Sequence, residues 1–276
     1  MERVGIIQMT SGSDREENLD FIAKQCALAA AQGVKLVLTP ENATLFANRE
    51  AYHHNAEVLC YGPIQQRLSD IAKQNQLTLV LGSMPICTEQ GVTTTTLVFS
   101  PVGECIAHYD KLHMFDVEVA DGHGRYRESD TFRAGAQIVT AETNIGTLGL
   151  SICYDVRFPE LYKALRLAGA DIIVVPAAFT AVTGKAHWEI LLRARAIETQ
   201  CWILASGQTG THPCGRQTWG HSMVIDPWGQ IHAQLHEQVG LLVTEIDLSQ
   251  SQQVRQNMPL TQHSRFQNEL KRKLKS

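Results

Sequence analysis

Three side chains able to do chemistry stand where apolar runs end. Glu41 follows Leu36-Val37-Leu38 through Thr39-Pro40, Lys111 follows the segment ending in Tyr109-Asp110, and Cys153 follows Leu150-Ser151-Ile152. A thiol, a carboxylate and an ammonium suit attack on a carbon bonded to nitrogen. The thiolate adds to the carbonyl carbon, the carboxylate takes the thiol proton and returns it to the leaving amine, and the ammonium stabilises the oxyanion. The Tyr154 backbone N–H, next in the chain, is placed to be a second oxyanion donor. A helix-like segment opens directly after Cys153, and free amides at a helix amino terminus favour a thiolate. Each residue alone also fits a plainer role: Cys153 a core thiol, Glu41 a turn cap, Lys111 a solvated surface lysine.

The elements that must position them follow from periodicity. Residues 4–9 and 34–38 read as short apolar strands, the second ending just before Glu41. Between them, residues 14–32 have helical spacing, acidic residues in the first turn and Gly33 as a stop. Residues 63–76 read as a second helix and 77–84 as another strand. Residues 93–99 and 104–109 flank the turn Pro101-Val102-Gly103 and read as a hairpin leading to Lys111. Residues 114–136 are polar, Gly-rich and aperiodic, a long loop of the kind that is usually functional, and they contain Glu128. Strands at 137–142 and 147–152 lead into Cys153, followed by a helix over 158–167 and a strand over 171–175. Residues 184–200 form a strong helix, with Trp188, Ile190, Leu191, Leu192 and Ile197 expected towards the core. Strands follow at 201–206, 222–226, 230–235 and 240–246, and residues 207–213 read as a plain loop. Alternation in some stretches and hairpins in others predict an α/β fold of mixed sheets covered by helices. Ligands collect outside the carboxyl ends of strands in open α/β sheets, so the three strand ends can share a pocket.

Composition narrows the rest. The chain has 276 residues, 44% hydrophobic and 19% charged, which is ample for a core. A net charge of −4 gives no general attraction to nucleic acid or anionic membrane. No apolar run reaches the roughly 20 residues that span a bilayer, and the amino terminus reads directly as a strand rather than a signal peptide. Seven scattered cysteines without a CxxC pair argue against a disulfide framework or a structural zinc site, and favour the cytoplasm. With no Pro/Gly/Ser linker and no repeat, residues 1–266 are expected to form one domain, followed by a basic tail over 267–276.

Pro40-Glu41, Asp110-Lys111-Leu112-His113 and Ile152-Cys153-Tyr154-Asp155-Val156-Arg157-Phe158-Pro159-Glu160 together resemble the Glu-Lys-Cys blocks of the nitrilase (carbon–nitrogen hydrolase) superfamily. The resemblance spans nearly the whole chain. It implies Glu41 as general base, Lys111 as oxyanion stabiliser, Cys153 as nucleophile, and Glu128 as a second glutamate beside the lysine. It also implies a four-layer αββα sandwich, usually paired into an eight-layer homodimer; with no GxGxxG or P-loop in the sequence, no cofactor is expected. Thr39 departs from the family, which usually has an aromatic there, and leaves local packing open. The blocks around Gly184-Lys185-Ala186-His187-Trp188-Glu189, Arg195-Ala196-Ile197-Glu198-Thr199-Gln200-Cys201 and Gly220-His221-Ser222-Met223 look like the branch that includes deaminated glutathione amidase and ω-amidase, and lean to the former. A small-molecule amide bearing carboxylates needs cations and N–H donors, for which Arg157, His187 and Arg193 are candidates, with Phe179 and Thr180 facing the same pocket. Arg193 fits surface ion pairing equally well.

Competing chemistries fare worse. A Cys–His hydrolase based on His113 or His221 leaves Glu41 and Lys111 idle, and no GxSxG elbow, GxGxxG or P-loop occurs. His232 and His236 fall in a strand-like segment, where such spacing separates rather than converges. A binding protein that kept the fold without the chemistry has no reason to retain all three residue types.

Overall fold

Successive residues of the first strand, β1 (Glu2–Gln8), point in opposite directions, and both directions are dry. Ile6 enters one apolar cluster and Ile7 another, each fully buried. A strand covered on both faces belongs inside a layered α/β fold. The computed structural model describes residues 1–121, 124–267 and 269–270; the basic run from Lys271 to Ser276 lies outside the described residues.

The chain continues through α1 (Arg15–Ala31), β2 (Leu36–Leu38), α2 (Arg49–His54), β3 (Glu57–Val58), α3 (Pro63–Asn75), β4 (Thr78–Thr88), β5 (Gly91–Phe99) and β6 (Cys105–Asp110). A small hairpin, β7 (Asp116–Glu118) and β8 (Arg125–Arg127), comes next. After it come β9 (Thr140–Thr143), β10 (Gly146–Leu150), α4 (Pro159–Leu167), β11 (Ile172–Ala177), α5 (Ala181–Thr199) and β12 (Trp202–Gly207). The remainder is β13 (Thr209–Thr211), β14 (Gln217–Trp219), β15 (Met223–Ile225), β16 (Ile231–Gln234), β17 (Gly240–Ile246), α6 (Leu248–Asn257) and α7 (Leu260–His263).

The first sheet has the order β17-β1-β2-β4-β5-β6, with β3 pairing with β4. Its core β1-β2-β4 is parallel, with Val4 opposite Leu36 and Leu36 opposite Thr78; β3 also joins β4 in parallel, and the pairs β1-β17, β4-β5 and β5-β6 are antiparallel. The second sheet has the order β16-β15-β12-β11-β10-β9, with β10-β11-β12 parallel at its centre. Val4, Ile6, Leu36, Leu38 and Val80 of the first sheet share one apolar cluster with Leu148, Leu150, Val174 and Leu204 of the second, so the sheets face each other. Leu19, Ile22, Cys26 and Ala29 of α1 and Ile64, Leu68 and Ile71 of α3 cover the outer face of the first sheet. Leu161, Tyr162 and Leu165 of α4 and Trp188, Leu192 and Ala196 of α5 cover the second. The result is the four-layer αββα sandwich.

Local chemistry sets the helix boundaries. The Asp14 side chain accepts the N–H groups of Glu16 and Glu17 at 2.9 and 3.2 Å and caps α1. Helix α3 begins with Pro63, and the buried Glu57 carboxylate accepts the free amides of Ile64 and Gln65. Helix α5 is capped by Thr180 and ends at Gln200, whose φ of 55° breaks the repeat.

Four expectations are revised. The segment 114–136 contains the β7–β8 hairpin and a turn of 3₁₀ helix over Glu128–Asp130. Residues 207–213 contain β13, which pairs with β14 through Thr209 and Trp219. On α5, Ile190 is 70% and Ile197 50% exposed, so only the face bearing Trp188 and Leu192 meets the core. The strand expected over 137–142 begins later, at Thr140. Helices α2, α6 and α7 carry too few periodic apolar residues to be read from sequence.

Candidate active site

Glu41 leaves the end of β2 and turns into the molecule, 4% exposed. Gly82 on β4 makes that turn possible, since a Cβ there would lie 2.2 Å from Pro40 O and 2.3 Å from Thr39 O. Thr39, the departure noted in sequence, is fully buried, and its hydroxyl accepts the Gly82 N–H at 2.9 Å. A threonine therefore holds the strand end by a hydrogen bond. Asn42 then takes a left-handed φ of 57° and donates its N–H to Ser83 Oγ at 2.8 Å.

Lys111 follows β6 and is 1% exposed. Its Nζ donates to Glu41 Oε1 at 2.8 Å and to the Glu128 carboxylate at 2.8 and 2.9 Å. Glu128 opens the 3₁₀ turn after β8 and also accepts the Phe115 N–H at 2.6 Å. The second carboxylate thus neutralises and orients the lysine.

Cys153 opens a 3₁₀ turn over Cys153–Arg157 with a φ of 48°. Gln76 and Gln200 adopt the same conformation merely to end α3 and α5; Asn42 and Cys153 adopt it beside the cavity, where such strain commonly marks function. The turn is tied to the lysine strand by Asp155, which is fully buried. One of its oxygens accepts the His113 N–H at 3.1 Å and His113 Nδ1–H at 2.7 Å. The other accepts the Tyr109 hydroxyl at 2.8 Å and the Ile152 N–H at 2.9 Å. The nucleophile candidate and the lysine are therefore mounted on one buried network spanning both sheets.

Burial and neighbouring charges push these groups in different directions. Burial pushes the Glu41 carboxyl up, but the charge and hydrogen bond of Lys111, the Cys153 thiol and Arg216 together hold it below its ordinary value. Burial, reinforced by Glu41 and opposed by Lys111, pushes the Glu128 carboxyl up. Burial lowers Lys111, yet Glu128, Glu41 and Cys153 drive it well above the usual lysine range. For Cys153, burial and then the charge of Glu41 push the thiol well up, outweighing Lys111 and the Ala178 N–H. Burial therefore outweighs what the short 3₁₀ turn offers a thiolate, and the direction of the shift favours a thiol whose proton the neighbouring Glu41 carboxylate can take.

A cavity of about 320 Å³ opens over these groups, lined by Glu41, Lys111, Glu128, Cys153, Tyr154, Phe179 and Thr180 among others. Arg157 and His187 do not line it. The Arg157 guanidinium lies over the rings of Phe179 and Tyr154, with Nη1 3.3 Å from His187 Nδ1. Arg193 pairs with Glu189 at 3.2 Å and donates to Gly229 O at 2.9 Å. Sequence reasoning missed Phe46, Tyr52, Tyr126 and Arg216, which also line the cavity from aperiodic segments or short hairpins. Arg216 sits just before β14, donates from Nη2 to Ala178 O at 2.9 Å and lies over the rings of Phe46 and Tyr126. Phe46 is itself stacked on the buried His212 with centroids 3.8 Å apart. Among the described residues, no group of three or more His, Cys, Asp or Glu could hold a metal ion.

Comparisons with known proteins agree with this geometry. The carbon-nitrogen hydrolase family model matches residues 3–256. A deaminated glutathione amidase of Yersinia enterocolitica is 48% identical over 95% of this chain and 93% of its own length. The corresponding bovine protein is 39% identical over 95% of this chain and 81% of its own. The crystal structure of Saccharomyces cerevisiae Nit3, a member of branch 10 of the nitrilase superfamily, superposes with a TM-score of 0.86 at 30% identity, covering 96% of this chain and 97% of Nit3. With the sandwich, the cavity at its strand ends and near full-length similarity in agreement, this chain belongs to the carbon-nitrogen hydrolase family.

Proposed function

We propose that this chain is a thiol amidase that splits the amide of deaminated glutathione into 2-oxoglutarate and cysteinylglycine, a metabolite-repair reaction. The observation that carries the reading is the convergence of Cys153, Glu41 and Lys111 on one cavity, with Lys111 Nζ 2.8 Å from Glu41. Relatives named as deaminated glutathione amidases, similar over nearly the full chain, support the substrate.

In this reading Glu41 takes the Cys153 proton as sulfur bonds to the amide carbon. Lys111 Nζ and the Tyr154 N–H hold the resulting oxyanion. An ammonium has three N–H groups; with one directed to Glu41 and one shared by the two Glu128 oxygens, one remains for that oxyanion. Glu41 then passes its proton to the leaving nitrogen as the C–N bond breaks, and the amine departs. Water, deprotonated by Glu41, attacks the Cys153 thioester; the C–S bond breaks, the sulfur recovers the proton, and the acid leaves.

The same reading takes residues 1–266 as one domain, in the cytoplasm, working as a homodimer or higher homo-oligomer. Seven free cysteines suit a reducing compartment. Exposed Val182, Ile190 and Ile197 fall on one face of α5 and suit a second copy.

The test is kcat/KM for deaminated glutathione, 2-oxoglutaramate and a simple nitrile, with Cys153→Ala as blank. A strong preference for deaminated glutathione is expected, together with a folded and inert Cys153→Ala. Preference for 2-oxoglutaramate would make the protein an ω-amidase, and appreciable turnover by Cys153→Ala would end the covalent mechanism.

A further inference from the structure

Two guanidinium groups line the cavity, and the chemistry above uses neither. Arg127 is engaged, donating to Tyr126 O at 2.9 Å and lying 3.7 Å from Glu118. Arg216 is held differently. One nitrogen donates to Ala178 O, its Cζ lies over the rings of Phe46 and Tyr126 at 5.4 and 5.3 Å, and its Nε is buried with no hydrogen-bond partner among the described residues. Among the described residues no carboxylate forms an ion pair with it. A guanidinium fixed by aromatic faces keeps its in-plane N–H groups for a planar anion.

The position of Arg216 says which end of a substrate it would meet. The Ala178 N–H donates to Glu41 Oε2 at 2.8 Å, while the Ala178 carbonyl accepts from Arg216, so one residue joins the base to the guanidinium. Glu41 must stand beside the leaving nitrogen in order to protonate it. The amine portion of the substrate therefore lies on the Glu41 side, and groups beyond the nitrogen extend towards Arg216. We propose that Arg216 binds a carboxylate carried by the leaving amine. The site then selects amides that release an anionic amino acid or peptide over amides that release ammonia. This deepens the amidase reading above and rests on it.

The test uses two substrates sharing one acyl group, deaminated glutathione and 2-oxoglutaramate, whose leaving groups are cysteinylglycine and ammonia. Arg216→Gln should lower kcat/KM for the former, chiefly through KM, about ten- to a hundredfold more than for the latter, the factor carried by a hydrogen bond to a charged partner. Arg216→Lys, keeping charge without the fork, should recover part of the difference. Because the ratio is taken within one variant, partial misfolding cancels. Equal losses for both substrates would mean that Arg216 serves Glu41 or the fold, and would overturn the inference while leaving the amidase reading intact. Failure of the unaltered enzyme on both substrates would instead remove the amidase reading itself.

Discussion

Among the described residues Lys111 is the only positive charge hydrogen-bonded to the Glu41 and Glu128 carboxylates; Lys111 and Glu41 are buried, and the Glu128 side chain is 16% exposed. Replacing it by Met keeps the side chain as far as Cε and deletes the charged nitrogen. Two carboxylates that shared one ammonium are then left facing each other, and breaking a buried pair in this way costs about 3–5 kcal/mol. The folded variant can escape by protonating one of them. For a carboxyl of ordinary value near 4.3, that costs about 5 kcal/mol at pH 8 and about 2 kcal/mol at pH 6. Near pH 6 protonation is the cheaper course and the folded variant binds up to one proton more than the unfolded chain, whereas towards pH 8 the two costs meet. Its stability is therefore greater at pH 6 than at pH 8 and falls by at most about 1.4 kcal/mol for each unit of rising pH. Urea unfolding at pH 6 and pH 8, followed by the fluorescence of the buried Trp188 and Trp202, reads both numbers. Adding Glu128→Gln should restore most of the stability at pH 8 without restoring turnover. A deficit below about 1 kcal/mol at pH 8, or one independent of pH, would refute the reasoning, because it would mean that the carboxylates reach water.

Three further outcomes are expected. Asp155→Asn, which turns an amide N–H₂ towards donors from Tyr109, His113 and Ile152, should lose about 1–3 kcal/mol per stranded donor and lower kcat more than KM, checked by unfolding and steady-state kinetics. Gly184→Ala would place a Cβ 2.3 Å from Trp219 Cβ and Cγ, and the repacking of α5 against β14 should cost about 1–3 kcal/mol, seen as a Tm lowered by several degrees. Burial, opposed by the Ser11 carbonyl and aided by Arg216, pulls His212 from 6.5 to about 4. A group depressed in the folded state gives stability that is complete above pH 6.5 and is lost as pH falls to about 4, here at most about 3 kcal/mol; His212→Gln should flatten that part of the stability–pH curve in urea unfolding.

Much of this architecture could be read from the chain because the strands carry their own signature. Leu36-Val37-Leu38 and Ile172 to Val175 are apolar at every position, as strands buried on both faces must be, and the reactive residues follow such runs. Glu128 was reachable only through resemblance, since nothing in its surroundings is periodic. Arg216 and Phe46 gave no signal at all: they meet through contacts between segments far apart in sequence, and a short hairpin with Gly and Pro at its tip resembles any surface loop. The exposure of Ile190 and Ile197 was illegible for another reason. A helix apolar on several sides does not say which side the sheet takes, and here the Trp188–Leu192 stripe prevailed. The turn opening at Cys153 could be read from sequence, whereas the depth at which its thiol is buried could not.

The pairing of β1 with β17 has a consequence for synthesis. Residues 2–8 emerge from the ribosome more than two hundred residues before their neighbour on one side, residues 240–246. Until residues 240–246 are made, the first sheet therefore presents a strand with apolar residues on both faces and one row of backbone groups unmatched, a template on which other nascent chains can add. The Gln8 side chain, which donates to the carbonyls of His236 and Gln238 at 2.8 Å, helps to shut that edge once the last strand arrives. Premature termination before residue 240 would thus be felt first as adhesion between unfinished chains, even though the carboxylate, the lysine and the thiol had all been made.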